Sequence, residues 1–285
     1  MLPRQYTVDE LIRNAGELLP LPQAAQKALS LIRDPNSNMA DLAAILTMDQ
    51  VLASLVLRWA NSAYYGLAHP VSTVQQAVMY LGQNTVQSLV LTASVAAYMD
   101  RPLPGYALDR GDLWKHSVGV AAGARVIASK FGRKVAEDAY HTGLLCDIGK
   151  LAFEAVLRNV NTFDKKWQGK PFSELEADYF GIDHATLGAE MANRWKLPSQ
   201  VQEAIACHHK PGEAKDGAIL AASVHVADAV MMMMGIGIGK DGLQYSIDPK
   251  AITMLGWDTR NLDQLIDQVS VLINEAEKFV GLIRK

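Results

Sequence analysis

Apolar residues recur at helical spacing through most of this 285-residue chain, and this pattern is the feature that most constrains its fold. The segment after Asp49 illustrates it, because its apolar residues recur at intervals of three and four: Leu52, Leu55, Val56 and Trp59. Clusters of turn-forming residues, such as residues 34–38, separate segments of this kind. The sequence therefore predicts an all-α fold.

The cluster Arg-Pro-Leu-Pro-Gly at residues 101–105 interrupts the helical pattern most strongly. With 285 residues, 49% of them hydrophobic, the chain can bury one large core or two of ordinary size. We expect a two-lobed helical bundle, with an N-terminal lobe over residues 1–104 and a second lobe over residues 105–285. The second lobe ends in an amphipathic helix with this apolar stripe: Leu262, Leu265, Ile266, Val269, Leu272, Ile273 and Ala276.

Composition and charge exclude several classes of protein. A formal net charge of −3 argues against a general nucleic-acid binder, and two cysteines are too few for a disulfide framework. The first ten residues lack the apolar core of a signal peptide, and Gly235 interrupts the methionine cluster at residues 231–234. We expect a cytoplasmic protein that binds neither nucleic acid nor a membrane. Its oligomeric state stays open.

In the N-terminal lobe, polar residues fall mostly at helix caps and turns. Asp49 is placed to cap one helix, and Ser72 and Gln75 have the spacing of a capping box. Tyr64 and Tyr65 follow a helix and are either a contact site or part of the packing. No cluster of His, Cys, Asp and Glu occurs in this half of the sequence. We therefore expect a scaffold or a surface for a partner here.

The stretch from His141 to Lys150 places an acidic residue in an apolar setting. Its Leu and Ile residues are spaced to anchor a helix in the core, and Gly149 is expected to end that helix. Asp147 therefore lies at the end of a buried helix, where a carboxylate is costly unless it is paired, hydrogen-bonded or bound to a metal. Lys150, three positions later, is one candidate partner.

Six of the seven histidines lie between His116 and His225, near predicted helix starts and ends. His208 and His209 are expected on a helix that starts near Pro198, and His225 lies one turn from Asp228 on the next helix. Imidazole and carboxylate are the ligands that Zn, Fe and Mn prefer. Spacing alone leaves two interpretations open, a metal site or a set of structural histidines.

Five segments resemble the signature segments of the HDOD family, the HD-related output domain of bacterial signalling proteins. They are Leu-Pro-Leu-Pro at residues 19–22, the helix that follows Asp49, Leu-Arg-Trp-Ala-Asn-Ser-Ala-Tyr-Tyr-Gly at residues 57–66, Ala-Val-Met-Tyr-Leu-Gly at residues 77–82 and Gly-Leu-Leu-Cys-Asp-Ile-Gly-Lys at residues 143–150. The resemblance extends from about Leu18 to Met231. It implies an all-α, two-lobed fold and a regulatory role without established catalysis.

The second lobe also resembles the HD-GYP phosphodiesterases, relatives that cleave cyclic di-GMP on a centre of two or three metal ions. That resemblance implies that Asp147 bridges two ions and that Lys150 lies near the substrate phosphate. It implies these further ligands: His116, His184, His208, His209 and Asp228. Two departures weaken the enzyme interpretation. Cys146 replaces the histidine of the His-Asp pair, and no Gly-Tyr-Pro signature follows His208 and His209.

These departures make the two ion sites unequal. One ion would be held by Asp147, His184, His208 and His209. The other would have only His116, Asp147 and Asp228, with water or a Cys146 thiolate in the fourth position. We expect at least one divalent ion (Fe, Mn or Zn) and a weakened second site. Cys207 precedes His208, so a redox pair with Cys146 and two buried small residues are both open interpretations.

Two functions remain. The first is a signal-transduction module that holds a metal centre and binds a signalling protein or a small nucleotide without fast turnover. The alternative is a metal-dependent phosphohydrolase or phosphodiesterase, in which water activated at Asp147 attacks phosphorus and Lys150 steadies the phosphate charge. Occupancy of both ion sites and room for a nucleotide above them distinguish the two. The glycine-rich residues 235–242 lack a phosphate-loop motif and are expected to border the centre as a loop.

Overall fold

Within the residues that it describes, the computed structural model has fourteen numbered α-helices and no β-strand. It describes residues 6–14, 21–34, 37–61, 66–158, 170–239, 244–258, 261 and 264–270. The predicted all-α class is confirmed. In this part of the chain no single helix is long and apolar enough to cross a membrane. The helices Met39–Thr47 and Gln50–Arg58 are long and apolar enough only when taken together, and the chain bends by 116° between them.

Contacts divide the described residues into two units. The smaller unit spans residues 21–97, and the larger unit contains residues 98–270 together with the first helix. The sequence places the boundary between the two lobes after residue 104, whereas the boundary between the two contact units lies between residues 97 and 98, inside a helix. The first helix joins the larger unit because it packs against the helix that starts at Lys150.

The helices of the smaller unit are α2 Gln23–Arg33, α3 Met39–Thr47, α4 Gln50–Ala60, α5 Val74–Leu81 and α6 Gln83–Met99, whose last two residues belong to the larger unit. Asp49 caps α4, as predicted, by accepting the backbone N–H of Leu52 at 2.9 Å. The capping box of α5 is formed one residue later than predicted, by Thr73 and Gln76. Ser72 and Gln75 have the same spacing as Thr73 and Gln76, but the helix starts one residue later, so the second pair forms the box. Tyr64 and Tyr65 lie outside the described residues.

The larger unit contains α1 Val8–Asn14, α7 Asp112–Ala128, α8 Arg133–Leu145, α9 Lys150–Leu157, α10 Phe172–Phe180, α11 His184–Arg194, α12 Ser199–Ala206, α13 Ala218–Met233 and α14 Pro249–Leu255. Helices α7, α8 and α13 pack on one another through small residues. A Cβ atom on Gly143 of α8 would lie 2.9 Å from the backbone of Ala121 on α7, so only glycine permits this approach. The close packing brings the ends of these helices to one site.

The turn after α8 positions Asp147. Helix α8 ends at Leu145 and α9 starts at Lys150, so Asp147 lies in the turn and Gly149 precedes α9. A Cβ atom on Gly149 would collide with the carbonyl oxygen of His184, the first residue of α11. Glycine at this position therefore allows the start of α11 to lie directly against the turn.

The helix predicted to carry His208 and His209 is shorter than expected. Helix α12 ends at Ala206, so His208 and His209 lie in the following turn and not on the helix as predicted. Of the predicted C-terminal stripe, Leu265 and Val269 are buried in a helical segment over residues 264–270, and its residues beyond 270 lie outside the described residues.

Candidate metal centre

The seven predicted metal ligands come together inside the larger unit. They are supplied by α7, the turn after α8, the start of α11, the turn after α12, and α13. Their ligand atoms form three overlapping groups, each with all atoms within 4.8 Å of one another: His184, His208 and His209; Cys146, Asp147 and His208; His116, Asp147 and Asp228. Asp147 and His208 each belong to two groups. The geometry is compatible with the predicted ligand set.

Asp147 is the buried carboxylate at the middle of the cluster. Its Oδ1 lies 3.2 Å from His184 Nε2, and its Oδ2 lies 2.8 Å from Lys150 Nζ and 3.5 Å from His116 Nε2. Burial alone would raise the pKa of Asp147, but Lys150 and His184 hold that pKa well below its usual value. Asp147 is therefore an anion whose burial is compensated by partners from three elements.

His116 links α7 to α13 and to the loop that follows α13. Its Nε2 lies 2.8 Å from Asp228 Oδ1, and its Nδ1–H donates to the carbonyl oxygen of Ile236 at 2.9 Å. Burial opposes protonation of His116, but the hydrogen bond and charge of Asp228, followed by Asp147, raise its pKa. The backbone acceptor at Ile236 keeps the proton on Nδ1, so Nε2 faces the two carboxylates.

His184 lies between two carboxylates at the start of α11. Its Nδ1–H and its backbone N–H both donate to Glu176 Oε2, each at 2.6 Å, while its Nε2 faces Asp147 and lies 2.9 Å from His209 Nε2. Burial opposes protonation, but Glu176 and Asp147 raise the pKa of His184 to about 10. These two carboxylates favour a positive charge at the position of Nε2.

His208 carries a buried nitrogen atom without a partner. Its Nδ1–H donates to the carbonyl oxygen of Ile205 at 2.7 Å, and its Nε2 has no hydrogen-bond partner among the described residues. A buried polar atom left without a partner costs about 1–3 kcal/mol. Burial, followed by the charge of His184, lowers the pKa of His208, so the ring is neutral and Nε2 offers a lone pair.

His209 adds a fourth imidazole beside this lone pair. Its ring centroid lies 3.9 Å from that of His208 and 4.9 Å from that of Tyr245, on which it stacks with an interplanar angle of 19°. Burial, then the neighbouring His208 and His184, lowers the pKa of His209 well below its usual value. Neutral imidazole is the form of histidine that binds a metal ion.

The hydrogen bonds of these rings fit a divalent metal ion. In His116, His184 and His208, Nδ1 donates to a carbonyl or a carboxylate, which leaves Nε2 directed into the cluster. Metal-ligating histidines typically donate their other N–H in this way. His225 differs, because its Nδ1–H donates to the carbonyl oxygen of His208 and its Nε2 accepts the backbone N–H of Asp248, both at 2.8 Å. Both of its ring nitrogens are used, so His225 is structural.

Cys146 lies beside Asp147 as a neutral thiol. Its Sγ donates to the carbonyl oxygen of Gly143 at 3.2 Å. Burial, then the charges of Asp147 and Asp228, raises the pKa of this thiol well above its usual value. Cys146 and Cys207 are both free cysteines. A redox pair and two buried small residues stay the two open interpretations of Cys146 and Cys207.

A narrow pocket opens over the centre. It has a volume of about 10 Å³, and Lys150, Asp228, His116 and His209 line it together with Tyr106, Leu108, Phe172, Met232, Gly237, Gly239 and Tyr245. This volume is enough for one water molecule and far below that of a nucleotide site. Gly237 borders the pocket, as predicted for the glycine-rich loop, and residues 240–242 of that loop lie outside the described residues.

Sequence reasoning missed the residues that orient the ligands. Glu176 accepts two N–H groups of His184, and Tyr106 donates its O–H to the other oxygen of Glu176 at 2.5 Å. Tyr106 lies 70 positions before Glu176 in the chain, so no local pattern connects them. The carbonyl oxygens of Ile205 and Ile236, which accept the ring N–H groups of His208 and His116, belong to the backbone, so the residue types do not reveal them. An acidic residue in the helix before His184 was the one available signal.

Comparisons with known proteins show the family of this chain. Residues 18–211 match the sequence profile of the HDOD domain. An uncharacterized protein of Treponema pallidum (strain Nichols) is 26% identical over 202 residues. The match covers 68% of this chain and 39% of that protein, so the chain spans about two fifths of the length of this curated relative.

Solved structures agree with that match. An HDOD domain protein of unknown function from Geobacter sulfurreducens is 25% identical with a TM-score of 0.69, over 97% of this chain and 94% of that one. A Shewanella amazonensis SB2B protein provisionally named a phosphohydrolase is 24% identical with a TM-score of 0.72, over 95% and 97%. A Marinobacter aquaeolei VT8 protein provisionally named a signal transduction protein is 23% identical with a TM-score of 0.71, over 99% and 63%.

The fold and the matched residues define the class, a helical HDOD protein with an HD-type cluster of His and Asp side chains in its larger unit. This chain belongs to the HDOD family.

Proposed function

We propose that this chain is a cytoplasmic regulatory module of bacterial signal transduction. It holds one divalent ion firmly at the His and Asp cluster and a second ion weakly. It acts by binding a signalling protein or a small nucleotide, without fast turnover. The provisional name of the Marinobacter aquaeolei protein is consistent with this role.

The observation that carries the proposal is the convergence of imidazole nitrogens on Asp147. His208 Nε2 is buried without a partner, and His184 Nε2 and His209 Nε2 lie 2.9 Å apart. Two ring nitrogens at this distance either share a proton or bind one cation together. A divalent ion would be held by His184, His208, His209 and Asp147, and would supply positive charge for an anionic ligand. Such a mixed nitrogen and oxygen set suits Fe, Mn or Zn.

The weak second position supports regulation over turnover. His116, Asp147 and Asp228 offer one imidazole and two carboxylates, and Cys146 stands where the related hydrolases have a histidine. The Cys146 thiol instead donates to the carbonyl oxygen of Gly143 at 3.2 Å. The pocket of about 10 Å³ is too small for a nucleotide, which of the two proposed partners favours a signalling protein.

The alternative function is a metal-dependent phosphohydrolase or phosphodiesterase. Lys150 favours it, because its Nζ lies 2.8 Å from Asp147 Oδ2 and the side chain also lines the pocket. From this position Lys150 neutralises Asp147 and supplies a positive charge on the pocket wall for a phosphate group. The provisional name of the Shewanella amazonensis protein agrees with this alternative.

The deciding experiment is metal content per chain, measured by elemental mass spectrometry on protein purified without a chelating tag. One equivalent of Fe, Mn or Zn that rises to two in Cys146→His supports the regulatory module with a half-retained second site. Two equivalents in the native chain, together with hydrolysis of a phosphodiester, would establish the enzyme instead. Cys146→Ser is the matched control, because it changes the same buried position without adding an imidazole. No metal in any of the three proteins would refute the metal centre.

A further inference from the structure

Glu176 is a buried carboxylate outside the predicted ligand set. It lies on α10, it is 1% exposed, and in the described part of the chain no Lys or Arg forms an ion pair with it. Its partners are the Tyr106 hydroxyl on one oxygen and the backbone and ring N–H groups of His184 on the other. A buried carboxylate is costly unless it is paired, and the imidazole of His184 is the group that compensates Glu176.

The contacts specify what Glu176 does to His184. The Nδ1–H bond sets the rotation of the imidazole ring and keeps a proton on Nδ1, which leaves Nε2 facing Asp147. The bond to the backbone N–H holds the first residue of α11 in place at the same time. Both bonds end on one oxygen, Oε2, so a single atom positions the ring and its backbone.

Tyr106 in turn positions Glu176. Its hydroxyl donates to Oε1 at 2.5 Å, and its ring packs on Phe172, one turn before Glu176 on α10, with centroids 4.8 Å apart. Tyr106 also lines the pocket, and Lys150 Nζ lies 5.8 Å from the centroid of its ring. Hydrogen bonds therefore connect Tyr106 at the pocket wall, through Glu176, to the metal ligand His184.

We propose that Glu176 is a positioning residue of the metal centre. It orients His184 and increases the electron donation of Nε2 to a bound divalent ion. Tyr106 fixes the orientation of the Glu176 carboxylate through its hydrogen bond to Oε1. This inference rests on the proposed metal centre and adds to it a residue that determines affinity. Carboxylates that accept the second N–H of a ligating histidine typically change metal affinity about 10- to 100-fold.

The test compares Glu176→Gln with the native chain. Glutamine keeps the size and an acceptor oxygen for His184 but removes the negative charge. Zn²⁺ affinity is measured by competition with a chromophoric chelator, and the absorption spectrum of bound Co²⁺ reports the ligand field, which a purely structural role would leave unchanged. We expect the dissociation constant for Zn²⁺ to rise about 10- to 100-fold, with a shifted Co²⁺ spectrum.

Glu174→Gln is the matched control, because Glu174 lies on the same helix but is exposed. It should leave both measurements unchanged. If Glu176→Gln does not fold, Tyr106→Phe decides, with an expected rise of about three- to tenfold in the Zn²⁺ dissociation constant. Native Zn²⁺ affinity together with a native Co²⁺ spectrum in the variant that folds would overturn the inference while the metal centre stands. Failure of the native chain to bind either ion would overturn both.

Discussion

His225 donates its Nδ1–H to the carbonyl oxygen of His208 at 2.8 Å, and this bond holds the turn that carries two of the candidate metal ligands. The other nitrogen of His225 accepts the backbone N–H of Asp248 at 2.8 Å, just before α14. His225 therefore joins the turn after α12 to the segment before α14. Asp228, one turn later on α13, contacts the candidate ligand His116 instead.

Replacing His225 should destabilise the protein without removing a metal ligand. In His225→Phe, the carbonyl of His208 and the N–H of Asp248 lose their partners, and we expect a loss of about 1–3 kcal/mol in the free energy of unfolding. The metal content per chain should stay unchanged. Urea denaturation and elemental mass spectrometry measure the two quantities. Loss of one equivalent of metal in a folded variant would contradict the purely structural role of His225.

Asp147 should be essential for metal binding. Asp147→Asn removes the charge that contacts His116, His184 and Lys150, so we expect metal content to fall to about a tenth or less of the native value. Asp178→Asn is the matched control, because Asp178 also pairs with a lysine, Lys170, but lies on the surface. Native metal content in Asp147→Asn would refute the proposed centre.

Two glycines of the loop after α13 allow a test of how this loop supports His116. Gly235 and Gly237 have φ values of +78° and +70°, so alanine strains the backbone at both positions. A Cβ atom on Gly235 would meet nothing within 4 Å, whereas one on Gly237 would lie 2.5 Å from His116 Cβ. Gly235→Ala should therefore cost about 1 kcal/mol of stability and leave metal binding intact.

Gly237→Ala should cost more and should also disturb His116. We expect a further loss of about 1–3 kcal/mol from overpacking and a lower occupancy of the weaker ion position, since the ring of His116 has to move. Thermal denaturation and metal titration of the two variants side by side measure the difference. Equal behaviour of the two variants would show that the loop does not hold His116.

His141 should make the protein less stable in acid. Burial lowers its pKa from 6.5 to about 4 in the folded chain, against the opposing charges of Asp138 and Glu137. As the pH falls below 6.5, the unfolded chain therefore binds a proton that the folded chain refuses, and stability decreases until the pH reaches the folded pKa. Between pH 7.5 and pH 5 this linkage amounts to about 2 kcal/mol.

The variant His141→Gln lacks this titration. Urea denaturation of metal-free native protein and of the variant, at both pH values, should show that the native chain loses about 2 kcal/mol more than the variant. The metal is removed beforehand because acid would release it, and that release would itself lower the stability of both proteins. Equal losses in the two proteins would mean that His141 is protonated in the folded chain.

Local features of the sequence determined the helices and the residue types of the site. The cap at Asp49 depends on neighbours within a few positions, and it agrees with the sequence. The choice between Ser72 and Thr73 as the cap of α5 did not follow, because both have the same local pattern. His and Asp residues near helix ends were visible as candidate ligands for the same local reason.

Tertiary structure alone decided how those candidates work together. Gly149 lets α11 approach the turn of Asp147, and only then can His184 contact that carboxylate. The ring orientations depend on acceptors that no sequence pattern links to them, such as Glu176, held in turn by Tyr106 from 70 positions away. Helical spacing is a property of neighbouring residues, whereas a metal centre is assembled from distant segments. The sequence therefore determined the helices and the candidate ligands, and the packing of α7, α8, α11 and α13 determined the geometry of the site.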